Sequence, residues 1–180
     1  MFIIHTERLI LRDFDKTDWQ AVHVYASDPE VVLYMDWGPS TEEETKDFIR
    51  RSIASQKEKP RPNYTLAIIL KAEDRLIGSC GLHVTNPDHR EGWLGYCLNR
   101  HFWRQGYATE TVKALLGFGF QQLGLHRIYA TCDPANIDSA HVLEKVSMQR
   151  EGHLRERKWA KGRWRDSWLY AILESEWTNR

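Results

Sequence analysis

Apolar and polar positions follow two rhythms along this chain, and the switches between them lay out its elements. From Arg8 to Phe14 apolar and polar residues alternate well enough for a first, half-buried strand. Lys16 to Ala26 changes to steps of three and four. Trp19, Val22 and Tyr25 share one side and Asp15 or Thr17 is available as a cap, so this stretch predicts a helix. Asp28-Pro29 begins a turn, Val31 to Trp37 is short, apolar and aromatic, and Gly38-Pro39 closes it. Ser40 or Thr41 then caps a second helix through about Lys57, with Phe48, Ile49 and Ile53 inward.

The two prolines between Lys59 and Asn63 mark a loop. Tyr64 to Lys71, Arg75 to Val84 and Glu91 to Leu98 read as strands, and the short connections between them demand antiparallel neighbours. From Gln105 to Leu123 the helical rhythm returns. Ala108, Val112, Leu115, Leu116, Gly119 and Leu123 line one face, and Gly124 is placed as the C-terminal cap. His126 to Cys132 is the next strand. A strand, a long helix and another strand imply a parallel pair, here 91–98 with 126–132. Asn136 to Val146 is a last helix, followed by a terminal hairpin of Met148–Trp159 and Trp164–Leu173. The order β-α-α-β-β-β-α-β-α-β-β predicts an α/β fold: a mixed sheet with helices on both faces, in one domain spanning 1–180.

Chemistry enters at the turn Arg104-Gln105-Gly106-Tyr107-Ala108. A helix start leaves several N–H groups unpaired and carries the positive end of the helix dipole. With a glycine letting the backbone approach closely, these groups form an anion site suited to a phosphate or pyrophosphate. A strand-to-helix turn that merely needs a glycine is the competing reading. The GxxxxGK[ST] pattern is absent, and Gly117, Gly119 and Gly124 fall late in a helix, away from the turn where a GxGxxG motif works. There they let the helix sit close to the sheet.

Charge and cysteine usage narrow the classes. Lys plus Arg and Asp plus Glu both number 25, so no global field calls for nucleic acid or an anionic membrane. No apolar run approaches the ~20 residues of a membrane span, and the N-terminus lacks the pattern of a signal peptide. The three cysteines sit in separate strand-like runs without CxxC spacing, which points to the cytoplasm and away from disulfides. The eight histidines make no HExxH or other ligand spacing, so no metal is expected. Arg150 to Arg165 holds seven Lys or Arg against two Glu, with Trp159 and Trp164 interleaved. That hairpin is either solvated, with its tryptophans packed, or a surface for RNA or an acidic protein through Lys158, Lys161, Arg163 and Arg165.

Leu94-Gly95-Tyr96-Cys97-Leu98, followed by Trp103-Arg104-Gln105-Gly106-Tyr107-Ala108-Thr109-Glu110, resembles the acyl-CoA binding segment of the GNAT N-acetyltransferases. It is most similar to the ribosomal-protein alanine N-acetyltransferase (RimJ/RimL) branch, with Trp103 at the first position of the family's [RQ]-x-x-G-x-[GA]. Thr6 to Arg12, Asn136-x-x-Ser139-x-x-x-Leu143-x-Lys145 and Gly162-x-Trp164-x-Asp166 extend the likeness over nearly the whole chain. The resemblance implies a GNAT acyl-CoA N-acyltransferase fold and acetyl-CoA as acetyl donor. It places the coenzyme pyrophosphate on the backbone of Arg104, Gln105, Gly106, Tyr107, Ala108 and Thr109. The pantetheine arm would pair with Tyr96, Cys97 and Leu98 like an added strand and run near Asn136. Ser139 would lie near the sulfur and stabilise the departing thiolate, though Asn136, Asp138 and Ser139 are also explained as a helix cap. Tyr34 and Trp37 would wall the acceptor pocket, where core packing is the plainer reading, and His83 would line its floor.

Acetylating an amine requires a free lone pair. An α-amine has a pKa of about 7.7–8.0 and a lysine about 10.4, so an α-amine needs little help near neutral pH. Many relatives place a carboxylate where this chain has Trp93. Glu91, two residues earlier and on the same strand face, is the candidate base, against the reading of an exposed strand end. Glu156 and Asp166 are further candidates; a hydrogen bond within the hairpin also explains Asp166. Cys97 reads as a small buried strand residue, since the family transfers acyl groups directly. The expected activity is acetyl transfer from acetyl-CoA to a primary amine, by branch similarity a protein N-terminal α-amine. A small-molecule amine, including an antibiotic, is the alternative, as is a coenzyme-binding domain without turnover. The partner is the amine acceptor, without membrane or nucleic acid, and a homodimer is compatible with the chain.

Overall fold

The antiparallel strands of the middle of the chain form the centre of an eight-stranded sheet in a computed structural model, which describes residues 1–177. Along the chain the elements are β1 (Ile3–His5), β2 (Leu9–Asp13), α1 (Trp19–Ala26), α2 (Glu42–Ser55), β3 (Asn63–Leu70), β4 (Arg75–Asn86) and β5 (Glu91–Leu98). There follow α3 (Tyr107–Gln121), β6 (Arg127–Cys132), α4 (Ile137–Lys145), β7 (Gln149–Ala160), β8 (Arg163–Leu173) and α5 (Glu174–Trp177). The strands lie in the order β1-β2-β3-β4-β5-β6-β8-β7. Neighbours are antiparallel except β5 and β6.

Both faces of the sheet are covered. On one, Val112, Leu115 and Leu116 of α3 and Leu143 of α4 meet Leu66, Ile68 and Leu82. On the other, Val22 and Tyr25 of α1 and Ile49 of α2 meet Ala67, Ile69 and Cys97. Burial on both faces explains why Leu66 to Leu70 is continuously apolar. Gly119 is where α3 comes nearest the sheet: an added Cβ would stand 2.5 Å from Ile128 Cδ1. Helix starts follow the predicted caps. Asp15 closes a capping box over a 3₁₀ turn ahead of α1, and Thr41 with Glu44 closes one on α2.

Two elements exceed the predicted order. β1 is three residues long with Ile3 exposed, and its inward residue Ile4, with Phe2 just before the strand, gains meaning only from the rest of the core. α5 is a single turn. α3 starts at Tyr107, two residues later than predicted, because Arg104 and Gly106 take the left-handed φ values of 59° and 83°. Gly124 has the expected left-handed conformation (φ 63°), two residues past the cap residue Gln122.

The parallel pair is present but short. β5 and β6 pair only at Glu91↔Arg127, Gly92↔Ile128 and Trp93↔Tyr129. Beyond these β5 stays with β4 through Leu98, and β6 stays with β8 through Cys132. The two central strands therefore part in the middle of the sheet. Among the described residues no helix is long and apolar enough to cross a membrane.

Candidate active site

Parting of β5 from β6 opens a cavity of about 630 Å³ that reaches from the strand gap to the loop after α1. Tyr96 and Cys97 line it from β5, Ala130 and Cys132 from β6, and Asn136 and Ser139 from the start of α4. The N-terminus of α3 follows directly on β5. Two left-handed residues fold the chain so that the amides of Arg104 to Thr109 donate to no protein acceptor among the described residues. With the helix dipole behind them, these amides form an anion cradle.

Arg8, which sequence reasoning left without a role, sets the shape of that cradle. Its Nη1 donates to Gln105 O at 2.9 Å, its Nε pairs with Glu110 at 2.7 Å, and its guanidinium lies 4.5 Å from the Tyr107 ring centroid. Glu110 also accepts from Thr6 Oγ1 at 2.6 Å and Arg8 N at 2.8 Å. Burial pushes this carboxyl up, but the bonds from Thr6 and Arg8 outweigh it and hold the group below the usual range. A Cβ at Gly106 would sit 3.2 Å from Arg8 Nη2, so the loop has glycine both for its φ and for this guanidinium. Gln105 spends its amide on His101 O (3.0 Å), and Arg104 reaches Asp138 at 3.4 Å. The only signal for Arg8 in the sequence was its place in the Thr6–Arg12 match.

At the strand gap the Tyr96 hydroxyl and Ser139 Oγ are 2.9 Å apart. Asn136 Oδ1 accepts from Ser139 N at 3.1 Å, so Asn136 caps α4 and lines the cavity at once, and the two readings of this motif do not compete. Burial pushes the Tyr96 phenol up, with Ser139 pulling the other way. Burial likewise pushes the Cys97 thiol up to about 12, which removes it as a nucleophile at neutral pH. Leu98 O is taken by Trp103 Nε1 at 2.8 Å.

The opposite end of the cavity is lined by Tyr34, Met35 and Trp37, and the terminal hairpin ties their loop down. Lys158 pairs with Asp36 at 2.6 Å and Lys161 donates to Val32 O at 2.6 Å. Arg165, only 8% exposed, bonds Met35 O at 3.1 Å and Asp133 at 2.5 Å. Three of the four cations considered for RNA are thus spent inside the molecule. On the cavity floor Gly81 faces Gly95 and His83 faces Trp93 across β4 and β5. Both rings lie back over the glycines: a Cβ at Gly81 would be 2.7 Å from His83 Nε2, and one at Gly95 2.7 Å from Trp93. The rings stack with centroids 5.3 Å apart, and His83 Nδ1 meets Asn63 Oδ1 at 2.9 Å.

Glu91 is a correction. It pairs with Arg127 at 3.1 Å, and Arg127 also holds Glu151 at 2.6 Å, so this carboxylate is spent bracing the paired end of β5 and β6 and does not line the cavity. Glu156 sits in a hairpin irregularity with φ 47°. Asp166 is engaged there as a structural acceptor, from Glu156 N at 2.9 Å and His153 at 2.6 Å. Among the described residues no cluster could hold a metal ion.

Comparison with known proteins agrees with this geometry. The profile of the acetyltransferase (GNAT) domain matches residues 8–149. The chain belongs to the GNAT acetyltransferase family. It is 39% identical to the uncharacterized N-acetyltransferase YnaD of Bacillus subtilis, over 97% of this chain and 98% of that one. The crystal structure of a GNAT-family acetyltransferase from Bacillus anthracis superposes with a TM-score of 0.86 at 37% identity, covering 97% of this chain and all (100%) of that one. More distant relatives act on different acceptors. The spermidine N(1)-acetyltransferase of Vibrio cholerae is 25% identical over 96% of this chain and 97% of its own length. The ribosomal protein uS5-alanine N-acetyltransferase of Escherichia coli is 23% identical over 96% of this chain and 91% of its own.

This GNAT chain is therefore an N-acetyltransferase, and the family uses acetyl-CoA. The free amides and left-handed glycine at the start of α3 suit the phosphates of such a donor, and the open edges of β5 and β6 suit an extended amide-bearing arm.

Proposed function

We propose that this N-acetyltransferase moves the acetyl group of acetyl-CoA to the α-amine at a protein N-terminus by direct attack. The observation that carries the donor half is the set of unpaired amides from Arg104 to Thr109 beside strands that part after Trp93 and Tyr129. Bound acetyl-CoA supplies an activated thioester. The amides and Arg8 grip its phosphates, and the free edge of β5 at Tyr96 to Leu98 orients the arm. The Tyr96–Ser139 pair hydrogen-bonds the leaving sulfur as its charge grows. A shared hydroxyl network of this kind favours the thiolate without requiring a strong acid.

The acceptor half rests on charge. A polyamine would need carboxylates free to meet its ammonium groups. Here Asp36 is neutralised by Lys158, Asp133 by Arg165, and Glu44 is bound into the α2 cap. Tyr34 and Trp37 line this part of the cavity and offer apolar surface on which the first side chains of a peptide can pack. This supports an acceptor like that of the ribosomal-protein relative over one like that of the spermidine relative. The test is thiol release from acetyl-CoA with N-terminal peptides, spermidine and aminoglycosides as acceptors. Release with peptides and not with spermidine supports the reading; preference for spermidine or aminoglycosides overturns its acceptor half.

A further inference from the structure

Resting on the acetyl-transfer reading above, we propose that His83 is the catalytic residue that takes the proton from the acceptor amine, with Asn63 positioning its ring. Asn63 Oδ1 can only accept, so Nδ1 carries the proton in the bond of 2.9 Å, and Nε2 is left with its lone pair. Stacking on Trp93 fixes the ring plane; Gly81 beneath His83, and Gly95 beneath Trp93, give the stacked pair the space to lie along the cavity floor. This is a base held on two sides and free at one atom.

The other basic groups of the cavity are committed. Asp36 and Asp133 are ion-paired, Glu44 caps α2, and Asp166 is held by the hairpin. Lys158 and Arg165 are the cations of those pairs, and Arg51 on α2 carries a permanent charge. The phenols of Tyr25 and Tyr96 and the thiols of Cys80 and Cys97 are all pushed up by burial. Around His83 itself stand Asn63 and Thr65 of β3, Gly81 of β4 and Trp93 and Gly95 of β5, none of them charged. Burial alone lowers its pKa from 6.5, so the ring is neutral at physiological pH.

In the step, the amine nitrogen forms a bond to the acetyl carbon and the C–S bond breaks with its electron pair going to sulfur. The proton leaving nitrogen passes to His83 Nε2, and one proton ends on sulfur beside the Tyr96–Ser139 pair. A neutral amine and a thioester thus give an amide and a thiol. A weak imidazole base matches an α-amine, of pKa about 8, far better than a lysine or polyamine nitrogen of about 10.4.

The experiment is a pH profile of kcat with a peptide acceptor. The wild type is expected to lose rate as pH falls through the lowered pKa of His83, below 6.5. His83→Gln should lower kcat by roughly 100-fold and abolish that acid limb, with coenzyme A affinity unchanged by calorimetry. Imidazole should restore part of the rate to His83→Ala. Asn63→Leu should lower kcat and leave KM unchanged. A His83→Gln enzyme whose acid limb keeps its wild-type shape, or which changes KM alone, overturns the assignment. Should His83→Gln fail to fold, an Asn63→Leu enzyme with wild-type kcat overturns it equally. A wild-type protein that binds coenzyme A but releases no thiol with any amine removes the acetyl-transfer reading itself, and His83's role with it.

Discussion

Two regions of the candidate site are built from different materials. The region proposed for the coenzyme is made of main chain: six consecutive residues with free amides, one left-handed glycine, and a strand edge released from its neighbour. The region proposed for the acceptor is made of side chains brought from α1, α2, the loop between them, the middle strands and the terminal hairpin. A main-chain site is specified locally and tolerates exchange of most side chains. A side-chain site depends on long-range ties, so it can change acceptor while the donor stays the same. The relatives fit this division, sharing acetyl transfer while acting on spermidine or on a ribosomal protein.

Arg165 should separate the two regions most sharply. Replacing it with methionine leaves Asp133, whose side chain is only 14% exposed, without its cationic partner and unties the Met35 loop. The expected cost is about 3 kcal/mol, or roughly 6–12 °C in Tm for a chain of this size, with a raised acceptor KM. Coenzyme affinity should stay within about twofold, since distant sites act independently. A comparable loss of coenzyme affinity would mean the two ends are one unit.

Gly106→Val attacks the other end. A β-branched residue at φ 83° costs about 1–3 kcal/mol, and its side chain would press on Arg8. Coenzyme affinity should fall roughly 10- to 100-fold, with the melting temperature moving far less than for Arg165→Met. Between the two ends, Tyr96→Phe and Ser139→Ala should each lower kcat about tenfold. The double variant should be no worse than the worse single, because each breaks the same bond. Additive losses would assign the hydroxyls separate tasks.

The division also explains how much was legible in the sequence. Periodicity revealed α3, β2 and β6, because α3 buries one face at helical spacing and β2 and β6 bury alternate residues. The turn around Gly106 was legible because free amides need only a helix start and a glycine. Glu91 was misplaced because strand period says which face a residue takes and nothing about what lies across the sheet; Arg127, 36 positions away, claims it. The basic hairpin was ambiguous for the same reason, since Asp36 is 122 positions from Lys158. His83 was read as floor. Its partner Asn63 lies 20 positions off on another strand, and Gly81, which seats the ring, carries no chemistry of its own.

The smallest effect expected is at Cys97. With the thiol pushed up to about 12, Cys97→Ala should retain kcat within about threefold, and mass spectrometry during turnover should find no acetylated cysteine. A persistent acetyl adduct on Cys97 would replace direct attack with a two-step route.

Main-chain amides at the start of α3 are proposed to hold the donor by its phosphates. Calorimetry of coenzyme A against pantetheine, which lacks them, tests this directly. Two charge-assisted bonds at about 1.5 kcal/mol each predict that coenzyme A binds about 100-fold more tightly, and that Gly106→Val removes most of the difference. Equal affinity for the two ligands, or a preference that survives in Gly106→Val, would contradict the account.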